Sequence, residues 1–298
     1  MTKPEVKKYN FKEDIAVQIE LVSLSSLFKD HSSTITIPHR TNFYHIFWFK
    51  KCSPVHSIDF TSVKIKPDTL LFINKNSVHS FDKNSRYEGK VLVFTDDFFC
   101  TSENDAKFLQ STVLFNDLLD IPNISPGKST VQLAAIFNLI AAELKNKSEI
   151  NHHGILKSYL HNFLLLADRE KRKLNFSEIK KGADFDYSFL FKGLLDKHFS
   201  RLKSVKGYAG KLNISEKRLN LATSKILGKS PKEMIDERVL LEAKRLLVHG
   251  SSTIKEIGFQ LGFEEPTNFI KYFRKHTVTT PLEFREKYLI KTIPKSII

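Results

Sequence analysis

The sequence predicts an α+β multidomain protein: an N-terminal β-barrel or jelly roll with flanking helices, then an all-α C-terminal domain of two helix-turn-helix units joined by a long helix. Three observations predict it. Short apolar runs with strand periodicity recur at close intervals up to about residue 95. From residue 129 the apolar period becomes that of a helix. Residues 204–230 and 253–280 then repeat one pattern. Ala209 matches Gly258 and Leu212 matches Leu261, 49 residues apart; Leu219 matches Phe269 and Pro231 matches Pro281, 50 apart. A repeat at such a period means one supersecondary unit used twice. At 298 residues the chain has room for about two domains of roughly 100–200 residues each.

The first strand is read in IAVQIELV (15–22), where Ile15, Val17, Ile19 and Leu21 share one face. FYHIFWF (43–49), VHSIDF (55–60), TLLFIN (69–74) and KVLVFT (90–95) follow. Pro38, Ser53-Pro54, Pro67-Asp68 and Asn74–Ser77 separate them as turns. IPNISPGK (121–128) is a loop. A helix over 129–147 carries an apolar stripe of Val131, Leu133, Ala134, Phe137, Ile140, Ala141 and Leu144. A second, over 151–171, carries Ile155, Leu156, Tyr159, Leu160, Phe163, Leu164 and Ala167. At least one of the two is expected to pack on the barrel. The charged, apolar-poor stretch around EKRKLNFSEIKKGAD (170–184) is the expected interdomain linker. These boundaries divide the chain into a barrel (1–115), a helical segment (116–172), a linker (173–186), the double helix-turn-helix domain (187–290) and a tail (291–298).

In the last domain Tyr187, Leu190, Phe191, Leu194 and Leu195 predict a core-facing helix. Ser204 and Ser215 are suited to cap the two helices of the first unit. Leu219, Ala222 and Ile226 point inward; Lys217, Asn220, Leu221 and Ser224 share the other face. Gly228 ends that helix. Ser230-Pro231-Lys232-Glu233 opens the long connecting helix, with Met234, Ile235, Val239, Ala243, Leu246 and Leu247 buried and Gly250 as its stop. Thr253 and Glu256 open the second unit. Ala209 and Gly258 let the helices of each pair cross closely. Gly262–Glu265 is the second turn, Phe269 and Phe273 are anchors, and Thr267, Asn268, Lys271, Arg274 and Lys275 form the polar side.

Charge separates the two halves. Residues 187–298 hold 22 Lys and Arg against 11 Asp and Glu, while residues 1–186 hold 25 against 22. The net charge of +14 therefore sits mostly in the last third, as expected of a nucleic-acid-binding domain. Cys52 and Cys100 form no CxxC pair and imply no disulfide framework. No run of about 18 apolar residues occurs, and MTKPEVKKYNFKED has no apolar h-region. A cytoplasmic protein without a membrane span is expected.

IKEIGFQLGFEEPTNFIKYFRKHTVTTPLEFR (254–285) closely resembles the C-terminal signature of the AraC/XylS family of bacterial transcription regulators. ISEKRLNLATSKILGKSPKEMI (214–235) resembles its first recognition helix. PHRTNFYHIFWF (38–49), HSIDF (56–60) and IKPDTLLFINKNSVHSF (65–81) resemble its cupin-like sensor domain. The resemblance implies a sequence-specific regulator that binds a double-stranded DNA operator, forms a homodimer through the helical segment, answers to a small-molecule effector and contacts RNA polymerase. It implies no enzyme and no cofactor. Three departures stand out: Leu221 where relatives often carry Arg, Thr41-Asn42 where sensor domains often carry His-Asp, and Val278 where relatives carry Gly. Val278 implies either a rebuilt turn or stored strain.

A recognition helix meets base edges with its N-terminal half. That selects Lys217, Asn220 and Leu221 in the first unit, and Thr267, Asn268 and Lys271 in the second, as base readers. Lys donates to guanine, Asn pairs with adenine, and Leu221 can touch a thymine methyl. Ser215, Lys225, Lys229, Arg274 and Lys275 are assigned to phosphate. His39, Phe43, His45, Trp48 and His79 are candidates for a ligand pocket, although Phe43, Phe47, Trp48 and Phe72 are expected mostly in the core. His31 and His56 are also present, but no complete metal-ligand set is found, so no metal is assigned. Two alternatives stay open: a cupin-type metalloenzyme fused to a DNA-binding domain, and a constitutive DNA-binding dimer without a ligand.

Overall fold

The structure, a computed structural model, describes residues 8–11, 17–51, 53–115, 123–125, 127–146, 150–175 and 182–291. The chain divides into two compact units, one within residues 7–180 and the other within 181–298.

The first unit opens with β1 (Lys8–Tyr9), β2 (Ile19–Ser23), α1 (Leu24–Ile35), β3 (His39–Thr41), β4 (Tyr44–Phe49), β5 (Val55–Ile58), β6 (Thr61–Lys64), β7 (Thr69–Ile73), β8 (Val78–Phe81) and β9 (Gly89–Phe94). Then come α2 (Asp96–Phe99), α3 (Glu103–Ser111), β10 (Asn123–Ile124), α4 (Thr130–Glu143) and α5 (His152–Asn175). Among the described residues the strands form two five-stranded sheets, in the orders β1-β3-β8-β5-β6 and β10-β7-β4-β9-β2. Only β1 and β3 pair in parallel; the remaining pairs are antiparallel.

The two sheets pack face to face through one apolar cluster. Phe47 and Phe49 of β4, Leu71 and Ile73 of β7, and Val91 and Val93 of β9 meet Ile58 of β5 and Phe81 of β8. The outer face of the second sheet is covered too. Tyr44, Ile46 and Trp48, with Leu70, Phe72, Leu92 and Phe94, pack against Leu133, Phe137 and Ile140 of α4 and Leu156, Leu160, Phe163 and Leu164 of α5. A sheet covered on both faces reads as continuous apolar runs, which is why TLLFI and YHIFWF lack alternation. Both helices pack on this sheet. Val131, expected in the stripe of α4, is 77% exposed. Buried Asp168 of α5 accepts from Thr112 Oγ1 at 2.8 Å and from the Val113 amide at 3.0 Å, and Arg172 closes the pair. This fastens the chain after α3 to α5.

Four of the five expected strands match to within about two residues, but the first, expected over 15–22, is β2 from Ile19 to Ser23. β1, α1, β3, β6, β8, α2 and α3 lie outside the expected elements, and β10 falls in the stretch 121–128 expected to be a loop, where it pairs with β7. α1 buries only Leu24 and Ile35 and bends at His31, so it carries little apolar signal. Ile15 of the first expected strand lies outside the described residues, as do Cys52 and the tail beyond residue 291. The expected linker 173–186 is too long. α5 runs to Asn175, and the next helix starts at Ala183.

The second unit is all-helical: α6 (Ala183–His198), α7 (Val205–Lys211), α8 (Glu216–Leu227), α9 (Pro231–His249), α10 (Ile254–Gln260), α11 (Pro266–Thr277) and α12 (Pro281–Lys291). α6 buries Phe185, Ser188, Phe189, Phe191, Lys192 and Leu195. Tyr187, Leu190 and Leu194, expected inside, are half-buried. A chain of charges ties α6 to α9. Lys192 pairs with Asp196 at 3.0 Å, Asp196 with Arg238 at 3.1 Å, and Glu242 with both Arg238 and Arg245 at 3.2 Å. Arg238 also lies over the Phe199 ring at 3.9 Å.

Candidate nucleic-acid interface

The two helix-turn-helix units are α7–α8 and α10–α11, and their helix starts follow the expected capping. Ser204 Oγ accepts from the Gly207 amide at 3.2 Å, and Ser215 Oγ from the Arg218 amide at 3.1 Å. Ser230 with Glu233, and Thr253 with Glu256, make reciprocal capping boxes at α9 and α10. Thr280 and Glu283 exchange the same two bonds at α12. Backbone amide donation holds the Glu233, Glu256 and Glu283 carboxyls below the usual range. At α11, Glu265 makes no side-chain cap. Pro266 starts the helix with the missing N–H that this position tolerates.

Close crossings place the recognition helices. A Cβ added to Gly258 would lie 3.3 Å from Phe269 Cβ, so α10 meets α11 closely and a side chain there would require Phe269 to give by a few tenths of an ångström. Gly262 takes φ +76° in the turn, and a Cβ there would fall 1.8 Å from the Ser200 carbonyl oxygen. Phe269 and Phe273 are fully buried against Leu247, Ile257 and Leu261. On α8, Leu219, Ala222, Thr223, Ile226 and Leu227 are buried. Gly228 takes the left-handed conformation, φ +67°, that ends the helix. Val278 takes the equivalent left-handed place after α11, φ +64°, and is 90% exposed. The turn is not rebuilt around the β-branched residue.

The six candidate base readers are all exposed. Thr267, Asn268 and Lys271 engage no other side chain among the described residues. Asn220 folds back along its own helix, where Nδ2 donates to the Glu216 carbonyl at 3.0 Å. Leu221 is 58% exposed, an apolar side chain held open to solvent. The phosphate candidates divide. Arg274 and Lys275 are exposed. Lys225 pairs with Asp184 of α6 at 2.8 Å, and Lys229 with Glu237 at 2.7 Å. Asp184 also pairs with Arg218, and these cations hold its carboxyl below the usual range.

In the first unit, His39, His45 and His79 do come together. The His79 ring centre lies 4.3 Å from that of His39 and 4.8 Å from that of His45, and Phe43 is 4.9 Å from His45. Trp48 does not join them. It stands an odd number of residues from His45 on β4 and therefore points to the opposite face. There its Nε1 donates to Asp68 Oδ1 at 2.9 Å, and its ring meets Phe137. The missed member is His56, fully buried, whose Nε2 lies 3.2 Å from His79 Nδ1. The signal for it was available, because His56 and Ile58 alternate with Val55 and Ser57. Burial depresses the pKa of all four imidazoles, that of His56 to about 3. His45 Nδ1, His56 Nδ1 and His79 Nε2 have no hydrogen-bond partner among the described residues.

Residues 208–287 match a family described as "Helix-turn-helix domain". A lactose operon transcription activator of Staphylococcus xylosus is 26% identical over 166 residues, covering 55% of this chain and 58% of that protein. A probable transcription factor, PqrA of Proteus vulgaris, is 39% identical over 54 residues, 18% of this chain and 44% of that protein. The alignments thus span about half the length of these relatives. Among solved structures, ToxT from Vibrio cholerae O395 is 16% identical, with 91% of this chain and 96% of that one covered and a TM-score of 0.39. With two capped, repeated helix pairs joined by α9, the C-terminal unit of this chain is a helix-turn-helix domain of the AraC type.

Proposed function

We propose that this chain is a sequence-specific transcription regulator of the AraC/XylS type, with α8 and α11 entering successive major grooves of an operator. One observation carries the reading: in both copies of the repeat, the N-terminal half of the second helix is exposed and polar or unpaired while its opposite side is pinned in the core. Lys217, Asn220 and Leu221, with Thr267, Asn268 and Lys271, are the assigned base readers. Ser215, Lys225, Lys229, Arg274 and Lys275 are assigned to phosphate. Grooves one turn apart lie roughly 34 Å from each other, so each subunit covers an asymmetric site of two short elements.

The face-to-face sheets support a cupin-like jelly roll as sensor, and His39, Phe43, His45 and His79 its effector site. The two sheets form that sensor, α4 and α5 the segment through which the chain dimerises, and the unit from α6 to α12 the DNA-binding domain. RNA polymerase is a proposed partner and the cytoplasm the proposed location. Selection of bound DNA from a random pool, at defined salt, tests the reading. A two-element site with its elements about one turn apart is expected; recovery of no enriched sequence overturns it. The buried histidines raise the metalloenzyme as a second reading. Among the described residues, no three His, Cys, Asp or Glu side chains are arranged to hold a metal. Elemental analysis of the purified protein decides between the two.

A further inference from the structure

Two polar contacts within the DNA-binding domain cross from one helix-turn-helix unit towards the other. On α9, Asp236 is buried, and its Oδ1 accepts from Tyr272 of α11 at 2.8 Å and from Lys232 at 2.7 Å. Tyr272 is the immediate neighbour of Lys271, a proposed base reader. Its phenol is pushed up by burial and by the Asp236 carboxylate, so it stays protonated and donates. Its ring lies 5.2 Å from Phe263. Asp236 sits five residues after Pro231, about 8 Å along α9 at 1.5 Å per residue. α8 ends beside that same end of α9, at Gly228–Ser230. The second contact lies in the loop between α6 and α7. Lys203 Nζ donates to the Ser200 carbonyl at 2.9 Å and to the Gly262 carbonyl at 3.1 Å, and lies 4.9 Å from the Phe263 ring. It therefore binds the loop that leads into the first unit to the turn of the second.

We infer that Asp236 and Lys203 are positioning residues that set which spacing between the two DNA elements this protein accepts. The inference rests on the DNA-reading proposal above. Apolar packing of α10 and α11 on α9 is non-directional and by itself selects their mutual placement less sharply than a directional contact does. Hydrogen bonds are directional, and they fail beyond about 3.5 Å or at poor angles. One base pair more or less between the elements moves the second one by about 3.4 Å along the duplex and by roughly 35° around it, from about 10–10.5 base pairs per turn. α11 cannot follow that movement relative to α8 with both contacts intact. A wrongly spaced site must break them or leave one recognition helix badly seated.

The test uses the full chain and the operator recovered from the random pool, with the spacer lengthened or shortened by one base pair. Affinities for the three duplexes are measured at one salt concentration for the parent, Tyr272→Phe, Asp236→Asn and Lys203→Met. The parent is expected to lose about tenfold, 1.4 kcal/mol, on either altered spacer. In the variants that penalty should shrink to about threefold or less, with base preferences inside each element unchanged. Penalties that stay as large as in the parent overturn the inference, as does a loss of affinity in equal proportion on all three duplexes, which is what a merely structural role gives. Tyr272→Phe keeps the ring against Phe263, so it decides the matter even where Asp236→Asn fails to fold. A pool that yields no two-element site overturns the DNA-reading proposal, and this inference with it.

Discussion

Lys225 Nζ lies 2.8 Å from an oxygen of Asp184, so a cation assigned to DNA phosphate is already paired within the protein. Asp184 belongs to the first turn of α6 and also holds Arg218. In the proposed complex DNA must compete with this carboxylate for Lys225, and the carboxylate itself repels phosphate. Asp184→Asn is expected to tighten binding about two- to fivefold, the scale of exposed ion pairs, equally on operator and unrelated DNA. Lys225→Gln should weaken binding to all sequences and lower the salt slope by about 0.9. Titrations at several salt concentrations check both; an Asp184→Asn protein that binds no more tightly than the parent shows that no such competition exists.

Asn268 is exposed on the proposed reading side of α11 and engages no other side chain among the described residues. Its replacement by Ala should cost ~1–3 kcal/mol on the parental operator and relax the preference at one base position. The check is affinity for every single-base variant of the operator. A uniform loss across all of them would remove Asn268 from the base readers.

Val278 occupies the left-handed region with its side chain in solvent. An L-residue there costs about 1–2 kcal/mol, more awkwardly so when it is β-branched. Val278→Gly gives up little packing but adds conformational entropy to the unfolded chain, which offsets part of the gain. It should raise the melting temperature of the C-terminal unit by about 1–3 °C. A variant that melts no higher than the parent leaves no strain to relieve.

The four buried imidazoles make the first unit sensitive to acid. Their folded pKa values lie below the ordinary 6.5, that of His56 at about 3. Between the folded and unfolded values the unfolded chain binds more protons, so stability falls as pH falls. The full contribution is present above about pH 6.5 and drains away below it, by up to about 1.4 kcal/mol per pH unit for each histidine. Denaturant unfolding of this unit at pH 7.5 and pH 5 measures the loss; equal midpoints would mean that the imidazoles titrate normally in the folded state.

Most of the DNA-binding domain could be read in advance because its determinants are local. Ser204, Ser215, Ser230, Thr253 and Thr280 each act within three or four residues, and Leu219, Phe269 and Phe273 obey one helical period. The histidine cluster was less legible. Treating FYHIFWF as one aromatic block placed Trp48 beside His45, whereas strand parity puts them on opposite faces. α1 escaped notice because Ser and Thr fill it where an apolar stripe would normally stand. The Asp236–Tyr272 contact joins residues 36 apart through a crossing angle that no local pattern encodes. Lys225 and Lys229 could be placed on the surface, but the carboxylates that occupy them come from other helices.

The contact of Gly262 with the Ser200 carbonyl bears on how such domains can be recombined. The second helix-turn-helix repeats the first in pattern, and so invites exchange as an interchangeable cassette. Its turn, however, is moulded to the loop that leads from α6 into the first: backbone touches backbone at Gly262, and Lys203 closes the joint. A chimaera that swaps residues 253–280 alone inherits a seam cut for another partner. One that carries residues 199–203 along with them brings both sides of the joint from the same parent.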